Sequence, residues 1–224
     1  LLAQFGVSDL RELSVNMNKP SLEEVDGEGI TGFYKQLITQ FEGKCAISED
    51  KLARYDLNIV SHMRKINERR FDPLVLKYFQ YLSLLFVEFY LDEYFNNRQG
   101  LIDGLNAYVS DFNAQYPNDG YEPYGESDLN KIAVWNATGS GKTIIMHINY
   151  HQYLHYSGGR LPEDATYILL TPKEGLSLQH IEDYADSGIS ARIYDKSASR
   201  WTQSANDISV LENTKLGDKD QDTV

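Results

Sequence analysis

The sequence predicts an α/β chain in two parts: an all-helical N-terminal module, then a partial domain built on a parallel sheet. Three observations predict it. Between Ile30 and Asn113 the apolar residues recur mostly at three and four, as in Phe33, Leu37 and Phe41 or Leu57, Val60 and Met63. From residue 131 onward, short apolar runs alternate with helical periodicity, the pattern of βα units. Between them, residues 101–130 carry six acids and no base, with Pro117, Asn118, Gly120, Pro123 and Gly125 as punctuation. The expected organisation is a helical module at 1–115, a linker at 116–130 and an α/β domain at 131–224.

Composition narrows the class. The 224 residues are 42% hydrophobic and 24% charged, with a formal net charge of −12, which suits a globular chain and excludes a disordered or collagen-like one. A single cysteine, Cys45, excludes an internal disulfide framework and a cysteine-rich zinc site. The most apolar stretch, Leu74 to Leu91, is interrupted by Lys77, Gln80 and Glu88, so it reads as a buried helix and not a membrane span. No signal segment opens the chain, and a cytoplasmic setting without membrane partners is expected. The start at Leu1 and the polar stretch ending at Val224 suggest a fragment of something longer.

The helical module has one basic window. Lys51 to Lys77 holds seven basic residues against three acidic ones, and a solvated, ion-paired helix face is favoured over a phosphate-contacting patch. A helix is expected from Asp72 as N-cap, with Pro73 at its first position, through Tyr78, Tyr81, Leu85 and Phe89, ending before Gly100. The module's function stays open.

The chemistry lies in the second half. Lys131-Ile-Ala-Val-Trp-Asn136 is expected to be a short buried strand. It runs into Ala137-Thr-Gly-Ser-Gly-Lys-Thr143 and then a helix over 144–154. Strand, glycine loop, Lys-Thr and helix form the setting of a phosphate-binding loop. Gly139 and Gly141 let the backbone approach phosphates, and the amides of Thr138 to Thr143 with the helix terminus make an anion nest. Lys142 is placed to reach the outer phosphates of ATP, and the Thr143 hydroxyl to ligate Mg2+. Where the general loop pattern wants glycine, six positions before Lys142, this chain has Asn136.

A strand over 165–170 then leads into Thr171-Pro-Lys-Glu-Gly-Leu-Ser-Leu-Gln179. Ala-Thr-Gly-Ser-Gly-Lys-Thr resembles motif I of the superfamily-two DEAD/DEAH-box helicases, and Thr-Pro-x-x-x-Leu-x-x-Gln resembles their motif Ia. The branch it resembles most contains the Res subunit of type III restriction enzymes, where the position of Asn136 is often neither Ala nor Gly. The match covers roughly 131–224. This resemblance implies a RecA-like domain, ATP and Mg2+ as cofactors, and ATP-driven translocation on or unwinding of double-stranded DNA in a restriction or phage-defence system. It also implies restriction or modification subunits as partners, and a nucleic-acid contact by Thr171 and Lys173.

Parts of such a motor are missing. No Asp-Glu box follows; the last strand candidate, 207–213, ends in Glu212 without one, and no second RecA-like lobe is present. The chain alone is therefore expected to bind nucleotide and hydrolyse it negligibly. The alternative is a non-hydrolysing nucleotide-binding regulatory or adaptor module; a small-molecule phosphotransferase is disfavoured by the motif Ia match. Two other sites are disfavoured. His147, His151 and His155 share a helix face, but Ile148 stands where a metalloprotease helix needs Glu, and the stripe is expected to face solvent. Asp195, Glu212 and Lys215 lack the spacing of a nuclease cluster.

Overall fold

The computed structural model describes residues 2–118, 120–159, 166–195 and 206–215. The chain forms two compact units, Leu1–Ile59 with Leu76–Lys142, and Val60–Val75 with Thr143–Val224. These are drawn differently from the compositional boundaries: the first part of the glycine loop belongs with the helices, and the stretch after Ile59 belongs with the sheet.

The described helices of the first unit are α1 (Leu10–Ser14), α2 (Gly32–Gln40), the first part of α3 (Glu49–Asn67), α4 (Tyr78–Asn96) and α5 (Arg98–Gln115). One buried carboxylate organises three of them. Asp56 on α3 accepts hydrogen bonds from the Thr31 amide at 2.9 Å, the Thr31 hydroxyl at 2.5 Å and the Tyr81 hydroxyl at 2.7 Å. Thr31 is also the N-cap of α2, its Oγ1 accepting from the Tyr34 amide at 3.1 Å. Burial pushes the Asp56 carboxyl up, and the Thr31 and Tyr81 donors oppose that shift. Phe33 and Tyr81 pack beside it with ring centroids 5.0 Å apart.

Residues 121–124 run along α5, held by two asparagine amides. Asn113 bonds both backbone groups of Tyr121, at 2.8 and 2.9 Å, and Asn106 both of Tyr124, at 3.1 and 2.7 Å. The spacing explains the fit: two helical turns rise about 10.5 Å, and three extended residues span about 10 Å. A 3-10 turn at Glu126–Asn130 then buries Leu129 against Leu101 and Ile102, while the other described residues of 116–130 are exposed.

The start of α4 corrects the expected helix. Asp72 is not its N-cap; α4 begins at Tyr78. The Asn67 side chain receives the Leu74 amide and donates to the Leu74 carbonyl, both at 3.0 Å, which engages the carbonyl that would accept the Tyr78 amide in a helix through 73–77. Gln80, third residue of α4, instead reaches back to accept the Lys77 amide at 2.8 Å.

The second unit contains the C-terminal part of α3, α6 (Lys142–Tyr156) from Thr143 on, and α7 (Glu174–Asp186). Its sheet comprises β1 (Tyr167–Thr171), β2 (Ala191–Ile193) and β3 (Ile208–Glu212). All pairings are parallel, in the order β1-β3-β2, with Tyr167 opposite Ile208 and Thr171 opposite Glu212. The mixed architecture and the parallel sheet agree with the expected class, and β1 and β3 fall on the expected strands; Ala165 lies outside the described residues. β2 had no counterpart in the sequence reading.

β3 is flanked on both sides, so Ile208 to Leu211 are all buried, whereas β1 alternates, with Ile168 and Leu170 exposed. Tyr167, Leu169, Ile208 and Val210 pack with Tyr184 of α7 and with Met146 and Tyr150 of α6. Among the described residues no helix is long and apolar enough to cross a membrane.

The second correction concerns residues 131–136. No strand forms there; Ile132 and Val134 are exposed and Trp135 is 98% exposed. A strand's amides and carbonyls need a neighbouring strand, and among the described residues no ladder includes this segment. Alternating apolar residues alone do not supply that partner.

Candidate functional site

The glycine loop is shaped by its two glycines. Gly139 has φ +78° and Gly141 φ +77°, a left-handed conformation that side chains resist. A Cβ at Gly139 would meet nothing within 4 Å, so that glycine is set by backbone conformation alone. A Cβ at Gly141 would stand 2.5 Å from Gln80 Nε2, so that glycine also answers to a close neighbour.

That neighbour belongs to α4 in the first unit. Gln80 Nε2 donates to the Ser140 carbonyl at 2.9 Å, and three residues along the same face Ser83 Oγ lies 3.2 Å from Asn136 Oδ1. Asn136, the departure from the loop pattern, thus supplies a side chain that glycine could not. Lys142 Nζ donates to the loop's own carbonyls, Ala137 at 2.8 Å and Asn136 at 3.4 Å. Its ammonium is exposed and tethered over the turn by two neutral acceptors, an arrangement an anion outcompetes by charge.

α6 begins at Lys142 and runs for 15 residues, a little longer than the expected 144–154. Ile145, His147, Ile148 and Gln152 are its buried residues, and the amides of its first turn have no acceptor within the helix. Thr138 is exposed, while Ser140 and Thr143 are half-buried. These residues fit a polyphosphate: two left-handed glycines, the N-terminal amides of a full helix, one ammonium and one hydroxyl at the helix start.

The nucleic-acid candidates part company. Thr171 is 2% exposed, and its Oγ1 lies 2.6 Å from Ser177 Oγ of α7. Its hydroxyl therefore fastens β1 to the first turn of α7, and burial keeps it from a polymer's reach. Lys173 is exposed at the N-cap position of α7, with no side-chain capping bond. Glu212 ends β3 in register with Thr171. Asp195 is described but Lys215's side chain lies outside the described residues.

Of the histidine stripe on α6, His155 is exposed as expected, whereas His147 is buried and His151 partly so. His147 is fully buried, stacked on Tyr184 at 4.3 Å with Nδ1 2.8 Å from Ser187 Oγ. His151 stacks on His62 at 5.9 Å, and His155 meets His62 edge-on at 6.0 Å. Burial first, then Lys65, His151 and His155, push His62 down to about 3; burial, then Arg70, His180 and His151, push His147 down to about 4. Burial and then Lys65 take His151 to about 4. Neutral imidazoles thus serve as packing. Among the described residues no group of three or more His, Cys, Asp or Glu could hold a metal ion.

Gln80 and Ser83 carried no sequence signal toward the loop, being some sixty residues upstream and part of a polar stripe on an apolar helix. The i, i+3 spacing of two hydrogen-bonding side chains was the only trace. Comparisons with protein-family models, curated proteins and solved structures found no match.

Proposed function

We propose that this chain binds ATP with Mg2+ through residues 138–143, as the nucleotide-binding part of an ATP-dependent DNA helicase or translocase of restriction or phage-defence type. The observation that carries the nucleotide reading is the pair of left-handed glycines, Gly139 and Gly141, immediately before a 15-residue helix whose first residues are Lys142 and Thr143. In this reading the loop amides hold the phosphates, Lys142 leaves the Ala137 carbonyl for the outer phosphates, and Thr143 helps hold Mg2+. Magnesium would neutralise charge on the phosphates.

The motor and its polymer rest on the order of the two motif-like segments, with Lys173 as the accessible member of the second. The Thr171 hydroxyl is committed to Ser177 and is given no polymer contact. A non-hydrolysing regulatory module is the second reading, favoured by the attachment of the loop to helix α4 through Gln80 and Ser83.

Equilibrium dialysis with radiolabelled ATP and Mg2+ tests the binding. Lys142→Ala should weaken it by about 10- to 100-fold, the loss of a charge-assisted contact. Equal retention by Lys142→Ala and the parent chain contradicts the proposal. A steady-state hydrolysis rate that Lys142→Ala abolishes contradicts the expectation that this chain alone turns over negligibly.

A further inference from the structure

We propose that Gln80 is a positioning residue for the phosphate loop, orienting the Ser140–Gly141 peptide so that its amide faces the ligand. The inference rests on the nucleotide reading and extends it to a residue outside the loop.

The argument is geometric. A trans peptide is planar, and its C=O and N–H point in opposite directions. Gln80 Nε2 holds the Ser140 carbonyl at 2.9 Å, so the Gly141 N–H of the same peptide points away from Gln80. A loop with two left-handed glycines has soft backbone torsions, and this peptide could rotate to aim its carbonyl oxygen at the anion instead. That orientation would set a negative dipole end against phosphate. The Gln80 bond opposes the rotation.

Gln80 is itself held. Its Oε1 accepts the Lys77 amide at 2.8 Å, so one planar amide group joins the N-terminus of α4 to the loop. The side chain cannot turn over without losing both bonds, since oxygen cannot donate and the –NH2 cannot accept. Ser83, one turn on, meets Asn136 at the other end of the loop. Gly141 completes the fit, because any side chain there would displace the Gln80 amide. Ligand binding and the first turn of α4 are therefore linked, and linkage is reciprocal: what loosens the Gln80 bond weakens the ligand, and the ligand tightens the bond.

Two substitutions separate positioning from mere capping of α4. Gln80→Glu keeps an oxygen to accept the Lys77 amide and removes the donor to Ser140. Gln80→Met removes both without adding charge. The probe is Mg·ATP by titration calorimetry on the parent, both variants and Lys142→Ala, together with the side-chain NH2 signals of Gln80 in 15N-labelled parent chain. These signals are assigned by their loss in Gln80→Met.

The expected result is a tenfold or greater loss of affinity in both Gln80 variants, and Gln80 NH2 signals that shift along the parent's binding curve. Parent-like affinity in Gln80→Glu with loss in Gln80→Met would reduce Gln80 to a helix cap and overturn the inference. So would parent-like affinity in Gln80→Met, or NH2 signals that ignore bound nucleotide. If the parent binds, Lys142→Ala does not and the Gln80 variants match the parent, only this inference falls. If the parent gives no heat, the nucleotide reading falls and takes this inference with it.

Discussion

Residues 131–136 and 208–212 are alike in sequence and opposite in fate. Ile-Ala-Val-Trp and Ile-Ser-Val-Leu are both short, apolar and rich in β-branched residues. The second is the central strand of a parallel sheet, with Val210 fully buried, while the first joins no ladder among the described residues, its Trp135 almost wholly in solvent. What separates them is a partner on each side. β-propensity describes how well a residue suits a half-buried pleated surface, and that surface has to be supplied by neighbouring strands.

The difference can be sharpened by placing the same charge in each segment. Val210→Asp buries a carboxylate among Ile189, Ile208 and Tyr184 and should cost about 4 kcal/mol or more, enough to unfold the second unit. Val134→Asp should lie within about 0.5 kcal/mol of the parent. Urea melts of both variants check this. A large loss in Val134→Asp would mean that the segment is buried in solution, and would break the comparison.

Acid should expose the second unit's dependence on neutral histidine. His147 is pushed down to about 4, whereas an unfolded chain takes up the proton near pH 6.5. Between those values the unfolded state binds more protons, so stability falls as pH falls from about 6.5 toward 4, by about 3 kcal/mol from His147 alone. His62 and His151 act in the same direction. Melts from pH 7.5 to 4.5 should show the loss, and His147→Phe, which keeps a ring against Tyr184, should flatten it. An unchanged slope in that variant would locate the acid sensitivity elsewhere.

Smaller effects belong to single hydrogen bonds. Tyr81→Phe removes one donor from buried Asp56 and should cost about 1–2 kcal/mol. Ser177→Ala removes the partner of the Thr171 hydroxyl and should cost about 1 kcal/mol, seen as a lower midpoint in urea. A cost near zero would mean that water replaces Ser177 and that Thr171 is open to solvent after all.

Legibility in the sequence followed locality. The loop's glycines, the helix after it and the β1 and β3 strands were readable because each is specified by a few adjacent residues. The start of α4 is not legible because Asp72-Pro73 is a good local start that the Asn67 clamp on Leu74 overrides. The burial of His147 and His151 is not legible because α6's periodicity fits more than one buried face, and only packing against Tyr184 and His62 chooses. Gln80 and Ser83 escaped notice because a contact across sixty residues leaves no periodic mark.

The central claim is that the amides around Gly141, with the Lys142 ammonium, hold a triphosphate. Calorimetric titration of the folded chain with ATP in the presence of Mg2+ tests it most directly. One-to-one binding that weakens at least tenfold in Gly141→Ala is the predicted result, since a Cβ there meets both a left-handed backbone and the Gln80 amide. A folded parent chain that releases or absorbs no heat across millimolar nucleotide, at two temperatures, would contradict it.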